Sequence, residues 1–370
     1  MKKILILMGR YLPGHKDGGP LRTIINLTDA LGDDYQFYIA CYDRDHGDTE
    51  SYPNIQYGKW NKVGKAKVCY IKPRGFSFNV IKKLAKGKDS IYLTSFYDDY
   101  GYKTLMLKRL GVIKQPVALA SMGVFSESAL SQKSIKKKAF IALCKALRLF
   151  KNIEWSVTSE LEAKDLKKAI DNNVSYTIAE DLPRSTIPGR VHKDHDKIRI
   201  VFLSRICEHK GLDIGISAIK GMKHECVFDI FGPIQEPDYW EKCRKMLVNS
   251  DVEWHYGGDV PSEKVQQVLS QEDILILPSK SENYGHVIFE ALSVGCIPVI
   301  SDTTPWVDLA EKKAGIIAKR NSSDFTKALD LLSGITQNER LLISENCIIY
   351  ARERVRKAIK GTGYTRIFSL

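Results

Sequence analysis

The feature that most constrains this chain is a rhythm. Short apolar runs recur along it, each followed by a stretch whose apolar residues fall at helical spacing. Runs of about four to eight apolar residues, bounded by turn residues and alternating with amphipathic helices, are the pattern of parallel sheets layered between helices. In the first half the runs Ile4–Met8, Phe37–Cys41, Lys67–Ile71, Ser90–Thr94, Pro116–Ala120 and Asn152–Ser159 read as strands. Leu21–Leu31 and Glu160–Ile170 read as helices, as does the basic stretch 131–151. In the second half Arg199–Leu203, Glu225–Phe231, Val252–Tyr256, Asp273–Leu277 and Ile297–Ser301 read as strands. Gly211–Ile219, Tyr239–Val248, Ser262–Ser270 and Val287–Ser293 read as the helices between them.

The rhythm breaks once. The stretch 184–197 (RSTIPGRVHKDHDK) is polar and holds Pro188 and Gly189, the composition of a linker. A chain of 370 residues has room for two domains at roughly 100–200 residues each. The expected division is 1–185 and 190–345, with a helical segment over 346–370 that returns toward the first domain.

The first apolar run follows two lysines, but Ile4–Met8 is too short for the core of a signal peptide, and no small-residue cleavage site follows. It reads as a buried first strand. No run reaches the ~20 apolar residues that span a bilayer. The eight cysteines form no CxxC pair or zinc-type spacing. Several lie in apolar runs, so they read as reduced, and the expected location is cytoplasmic. A net charge of +12 favours anionic partners without choosing among them. Much of it lies in 131–151, where Lys133, Lys136, Lys137, Lys138, Lys145, Arg148 and Lys151 interleave with apolar residues. Such a helix suits either an anionic membrane surface, reached peripherally from the inner face, or an ordinary solvated face. No recognition motif accompanies the charge, so nucleic acid is not expected as a partner. No histidine or carboxylate spacing implies a metal, and Asp98–Asp99 is a lone acidic pair.

Three segments carry candidate chemistry. After the run ending at Leu277 comes a polar loop with Glu282, then Gly285 and a helix that begins near His286 and contains Glu290. A helix N-terminus at the end of a parallel strand is an anion site, because its N–H groups and dipole point outward. Were the stretch from Glu282 to Glu290 wholly helical, its carboxylates would stand on the order of 12 Å apart. That pair could bracket a nucleotide diphosphate; equally, it could be a loop glutamate and one on the helix's outer face. The second segment runs from Ser204 to Gly211, where Arg205 ends a strand and Lys210 precedes a helix. Two cations there suit a diphosphate whose charge grows as a bond breaks. In the third, Gly18 and Gly19 follow the first strand and let a ligand approach the backbone closely. The spacing is not GxGxxG, so a dinucleotide fingerprint is not indicated.

The run from Glu282 through Glu290, with Gly295, Pro298 and Asp302 behind it, resembles the Glu-x7-Glu signature of the group 1 glycosyltransferase family. The segment Thr304-Pro305-Trp306 is similar to its capsule and lipopolysaccharide members. The resemblance implies a GT-B fold: two Rossmann-like domains, α/β with parallel sheets, facing across a cleft. It implies retaining, metal-independent sugar transfer from a nucleoside diphosphate donor, with uridine the favoured base, to a hydroxyl of a glycan or lipid-linked glycan. No cofactor is implied beyond the nucleotide-sugar co-substrate. Arg205, Lys210 and Glu282 would be catalytic. Gly18, Gly19, Asn283, Tyr284, Gly285, His286, Val287 and Glu290 would bind the donor, Glu290 through the ribose. The chain departs from the family at Met122, where a loop commonly carries His or Arg before glycine. The polar contact to the donor sugar is then missing there or supplied from elsewhere. Two other readings stay open: an epimerase or phosphorylase on the same fold, and an inactive nucleotide-sugar-binding scaffold.

Overall fold

The computed structural model describes residues 1–125, 134–189 and 197–370. Residues 131–133 of the basic segment and 190–196 of the linker lie outside the described residues. The chain forms two compact units, one of residues 1–182 with 358–370, the other of residues 183–357.

Among the described residues the first unit holds eight strands: β1 (Lys3–Leu7), β2 (Gln36–Tyr42), β3 (Trp60–Val63), β4 (Ala66–Ile71), β5 (Ser90–Leu93), β6 (Val117–Ala120), β7 (Glu154–Val157) and β8 (Tyr176–Ile178). Their order across the sheet is β3-β4-β2-β1-β5-β6-β7-β8. Only β3 and β4 pair antiparallel, through a hairpin at Gly64. Side chains alternate across a strand, so each run supplies two cores. Leu5, Leu7, Ala40, Ile91 and Leu93 pack on one face. Ile4, Ile6, Phe37, Ile39 and Val68 pack on the other. Burial on both faces is why these strands read as continuous apolar runs.

Helix α1 (Gly19–Leu31) covers the second face with Leu21, Ile24 and Leu27. On the opposite face, α2 (Phe78–Ala85), α3 (Asp99–Arg109), α4 (Ser134–Ala146) and α5 (Glu160–Ala169) contribute Ile81, Leu105, Ile141 and Leu166. The basic segment is shorter as a helix than its spacing predicts. It stops at Ala146, and the following turn places Arg148 at φ 53° and Asn152 at φ 59°, outside helical space.

The second unit carries β9 (Ile198–Leu203), β10 (Cys226–Phe231), β11 (Glu253–Gly258), β12 (Ile274–Leu277), β13 (Ile297–Ser301) and β14 (Ile316–Ala318). All pair in parallel, in the order β11-β10-β9-β12-β13-β14. Counted from β9 this is 3-2-1-4-5-6, the dinucleotide-fold order, which reverses between β9 and β12. Helices α6 (Leu212–Lys220), α7 (Pro237–Val248), α8 (Val265–Leu269), α9 (His286–Val294), α10 (Ser322–Gly334) and α11 (Gln337–Lys360) belong to this layer, with α11 running on into the first unit. The expected helix over 262–270 is a single 3-10 turn, Ser262–Lys264, followed by α8. Within 184–189 the chain lies on the second unit instead of hanging free. Arg184 donates to the Ser262 carbonyl at 3.0 Å, and Gln266 donates to the Thr186 carbonyl at 3.2 Å.

Helix α12 (Gly363–Ser369) ends the chain in the first unit. Its Tyr364, Ile367 and Phe368 are buried. Phe368 meets Tyr35, Phe37 and Tyr92 at ring-centroid distances of 5.3, 5.8 and 6.0 Å. The helix lies so close to β8 that a Cβ on Gly363 would sit 1.9 Å from the Ile178 carbonyl oxygen. Gly363→Ala is therefore expected to push α12 off the sheet edge. Overpacking of this kind costs about 1–3 kcal/mol. A calorimetric melt should show the first unit losing roughly 2–10 °C; an unchanged melt would mean that α12 is not seated there.

All eight cysteines are free and buried. Among the described residues no helix is long and apolar enough to cross a membrane.

Candidate functional site

In open parallel sheets a ligand sits beyond the carboxyl ends of the strands, where the strand order reverses. In the second unit that point is flanked by the segments after β9 and β12, residues 204–211 and 278–285. The two are bound to each other where residues 209–210 meet 280–282. Lys280 N–H donates to the His209 carbonyl at 2.8 Å, and His209 Nε2 lies 3.0 Å from the Ser281 carbonyl. Arg320 Nε donates to the Pro278 carbonyl at 2.9 Å. The hydroxyls of Ser301 and Thr303 both donate to the Ser279 carbonyl, at 2.6 and 2.8 Å. The Trp306 indole N–H donates to the Tyr284 carbonyl.

Two glycines make this closeness possible. Gly211 follows a 3-10 turn, Glu208–Lys210, at φ 73°. A Cβ there would stand 2.4 Å from the Pro278 carbonyl oxygen. Gly285 sits at φ 77° immediately before α9, and no side chain caps that helix. The N-terminus at His286 and Val287 thus has no side-chain cap, and its dipole suits an anion.

At the centre stand Lys210 and Glu282. Lys210 Nζ is 2.5 Å from Glu282 Oε1, with side chains only 12% and 10% exposed. Ser279 Oγ donates to the same carboxylate oxygen at 2.6 Å. Burial pushes the Glu282 pKa up, but the charge and hydrogen bond of Lys210, then the Ser279 hydroxyl, outweigh it and hold the carboxyl below its usual value. Next to them, burial lowers the His209 pKa; the bond to Ser281 opposes this, while the charges of Lys210 and Arg205 add to it. The imidazole is therefore neutral at pH 7. Arg205 stands exposed at the mouth and donates to Gln235 Oε1 at 2.7 Å. Asn283 is exposed and Tyr284 buried.

Glu290 is not on the outer face of its helix. It is 3% exposed, with Arg184 Nη2 at 3.9 Å from Oε1. Arg205, Lys210, Glu282, residues 283–287 and Glu290 thus belong to one end of one sheet. Glycines 18 and 19 belong to the first unit. Gly18, at φ 60°, precedes α1 without a side-chain cap, and an added Cβ on either glycine would touch nothing within 4 Å. Met122 takes φ 46°, and its neighbour Gly123 donates its N–H to the buried Glu162. Asp99 accepts from Tyr42 Oη at 2.6 Å, and Asp98 accepts from Tyr100 Oη at 3.3 Å. Among the described residues no three His, Cys, Asp or Glu side chains converge as a metal site would require.

Sequence reasoning passed over Arg184, Gln235, Ser279, Ser301 and Arg320, and gave Trp306 no role beyond the family-like segment that contains it. Only Ser279 had a local signal, as a small polar residue between a strand end and Glu282. The others reach the site from distant parts of the chain.

Residues 183–354 match the family described as glycosyl transferases group 1. An uncharacterized 41.2 kDa protein in the cps region of Klebsiella pneumoniae is 25% identical over 304 residues, 78% of this chain and 81% of that protein. The phosphatidylinositol N-acetylglucosaminyltransferase GPI3 subunit of Saccharomyces cerevisiae is 29% identical over 193 residues, 50% of this chain but 41% of its own. Among solved structures, sucrose-phosphate synthase from Thermosynechococcus elongatus superposes at a TM-score of 0.73 with 14% identity, over 100% of this chain and 96% of that one. HepE from Anabaena, in complex with UDP-glucose, gives 0.71 with 14% identity, over 100% of both chains. The lipopolysaccharide glycosyltransferase WaaG gives 0.66 with 13% identity, over 96% of this chain and 98% of that one. With the strand orders and the site above, these likenesses make the chain a glycosyltransferase-type enzyme of GT-B fold, related to the group 1 glycosyl transferases and resembling their capsule and lipopolysaccharide members.

Proposed function

We propose that the protein is a retaining, metal-independent glycosyltransferase that moves a sugar from a nucleoside diphosphate, UDP by preference, to a hydroxyl of a glycan or lipid-linked glycan in surface polysaccharide synthesis. The observation that carries this reading is the Lys210–Glu282 pair, held at 2.5 Å at the strand-order reversal and followed in sequence by an uncapped helix N-terminus. A cation and a helix dipole suit a diphosphate, while a fixed carboxylate suits sugar hydroxyls.

In the reaction the bond from the anomeric carbon to the phosphate oxygen breaks, and the electron pair leaves with the diphosphate. Arg205, Lys210 and the start of α9 stabilise that growing charge. The acceptor oxygen bonds the anomeric carbon on the same face, and its proton passes to the departing phosphate oxygen. Glu282 orients the donor sugar and Glu290 accepts from the ribose hydroxyls. HepE bound to UDP-glucose and the UDP-forming trehalose-phosphate synthase of Burkholderia vietnamiensis support the choice of base. The Klebsiella relative in a cps region supports the polysaccharide setting. A lipid-linked acceptor would bring the enzyme to the inner membrane face. There α4 offers Ile135 and Leu143, 83% and 54% exposed, among its lysines.

A thermal shift with UDP, GDP and ADP, each without metal, tests the donor assignment. Ligand at about 100 times its dissociation constant should add roughly 2.7 kcal/mol of stability. UDP is expected to raise the melting temperature, and Arg205→Ala to weaken that rise. No shift with any of the three would sink the reading; a shift with UDP but no turnover on any donor and acceptor would favour the inactive scaffold.

A further inference from the structure

The edge hairpin of the first unit carries a second constellation, three strands across the sheet from β1 and the Gly18–Gly19 loop that follows it. On β3, Trp60 is 37% exposed. Its ring meets Tyr38 of β2 edge-on, at 5.0 Å between centroids and an interplanar angle of 84°. Lys88 Nζ lies 4.2 Å from the Tyr38 ring centre and 5.5 Å from that of Trp60. Lys67 Nζ lies 5.3 Å from Tyr38. Strand register sets Lys62 directly opposite Lys67, and Lys67 beside Tyr38.

Like charges directly opposite across strands destabilise a hairpin. Here they recur: burial lowers the Lys88 pKa, and the charges of Lys3 and Lys67 lower it further against Tyr38 and Asp89. Asp89, the carboxylate near this group, accepts the Lys3 backbone N–H at 2.7 Å. Among the described residues none of Lys62, Lys67 and Lys88 forms an ion pair. Lysines alone would protect an edge strand from pairing. An exposed tryptophan works against that role and calls for a ligand with an apolar face.

We propose that Trp60, Tyr38, Lys3, Lys62, Lys67 and Lys88 form a surface site for an anionic polysaccharide of polyuronate type, distinct from the nucleotide end of the second unit. The C–H face of a pyranose ring stacks on Trp60, and ring carboxylates along the strand meet the ammonium groups. Such a site would hold a growing or finished chain on the enzyme between transfers. Single-stranded nucleic acid fits less well, because it needs successive stacking platforms. Two ammonium groups lie within 5.3 Å of the Tyr38 ring centre and one at 5.5 Å from that of the more exposed Trp60, which leaves Trp60 as the main platform.

The test is binding to alginate immobilised on a biosensor, with neutral dextran beside it. The full-length protein should bind alginate and not dextran, and 1 M salt should release it, since the screening length there is about 3 Å. Trp60→Ala is expected to weaken binding about tenfold, the scale of one lost aromatic stack. The double variant Lys67→Gln/Lys88→Gln, which spares the Trp60–Tyr38 contact, should weaken it at least as much. Circular-dichroism melts of both variants check that they fold, independently of any nucleotide. Absence of alginate binding, equal binding to dextran, or well-folded variants that bind like the wild type would overturn the proposal. So would tighter binding to a single-stranded oligonucleotide, or to phosphatidylglycerol vesicles, than to alginate.

Discussion

Replacing Lys210 by alanine should cut turnover by about 10²–10³-fold, the usual effect of removing one preorganised donor from a site of developing negative charge. It should also lower stability in a way that depends on pH. In the native protein Glu282 titrates below its usual value near 4.5 because Lys210 and Ser279 outweigh its burial. Its contribution is therefore complete above that value and is lost as pH falls through the lower, folded pKa. Without Lys210, burial is opposed only by the Ser279 hydroxyl and the charge of His209, and the folded pKa rises. An almost buried carboxylate is left uncompensated, at a cost of about 3–5 kcal/mol near neutrality. The melting-temperature gap between wild type and Lys210→Ala should be widest at pH 7 and close on acidification below about 4.5. Adding Glu282→Gln should restore most of the stability and none of the turnover. A double variant that regained turnover would remove both residues from the proposed chemistry. A gap independent of pH would mean that the two charges are not coupled.

The second large effect is expected from a residue with no side chain. Gly211→Ala keeps every charged group of the site, yet it should lower both stability and turnover. Alanine at φ 73° costs about 1–2 kcal/mol in backbone conformation. Its Cβ, 2.4 Å from the Pro278 carbonyl oxygen, must also drive apart the two segments that hold Lys210 and Glu282. A displacement on the order of 1 Å can cost about 10²-fold in rate. Gly64→Ala is the control, because Gly64 lies at φ 56° with nothing within 4 Å of an added Cβ. It should show the backbone cost in a denaturant melt and leave kcat unchanged. Equal behaviour of the two variants would dismiss the close approach of the segments as the reason for glycine at 211.

The contrast between these residues marks what the sequence could disclose. Strands such as β1, β9 and β12 were legible because both their faces are buried, which leaves an unbroken apolar run. Strand β3, Trp60-Asn61-Lys62-Val63, gave no such run because it is an edge strand with polar residues. Strands β8 and β14 are three residues long, too short to register against the background. Helix α3 buries Tyr100, Gly101 and Thr104 beside its leucines, so its inner face lacks an apolar stripe. At the site, Arg205, Lys210, Glu282 and Glu290 could be named from their segments alone. What could not be read is that Lys210 and Glu282, 72 positions apart, share a hydrogen bond. Nor could the burial of Glu290 against Arg184, or the reach of Arg320 to Pro278, be read from periodicity. Each depends on the order of strands in the sheet, which spacing along the chain does not encode.

That order of strands, together with helix α12, has a consequence for synthesis. The first unit needs residues 358–370, whereas the second closes on residues 183–357. On a ribosome the unit begun first is therefore the last to be completed. Making the 175 residues between them (357 − 183 + 1) takes about 10–35 s at roughly 5–20 residues per second. Through that interval the surface formed by Tyr35, Phe37 and Tyr92 waits for Tyr364 and Phe368. The nascent chain thus carries an aromatic patch in need of a temporary cover until residues 358–370 are made.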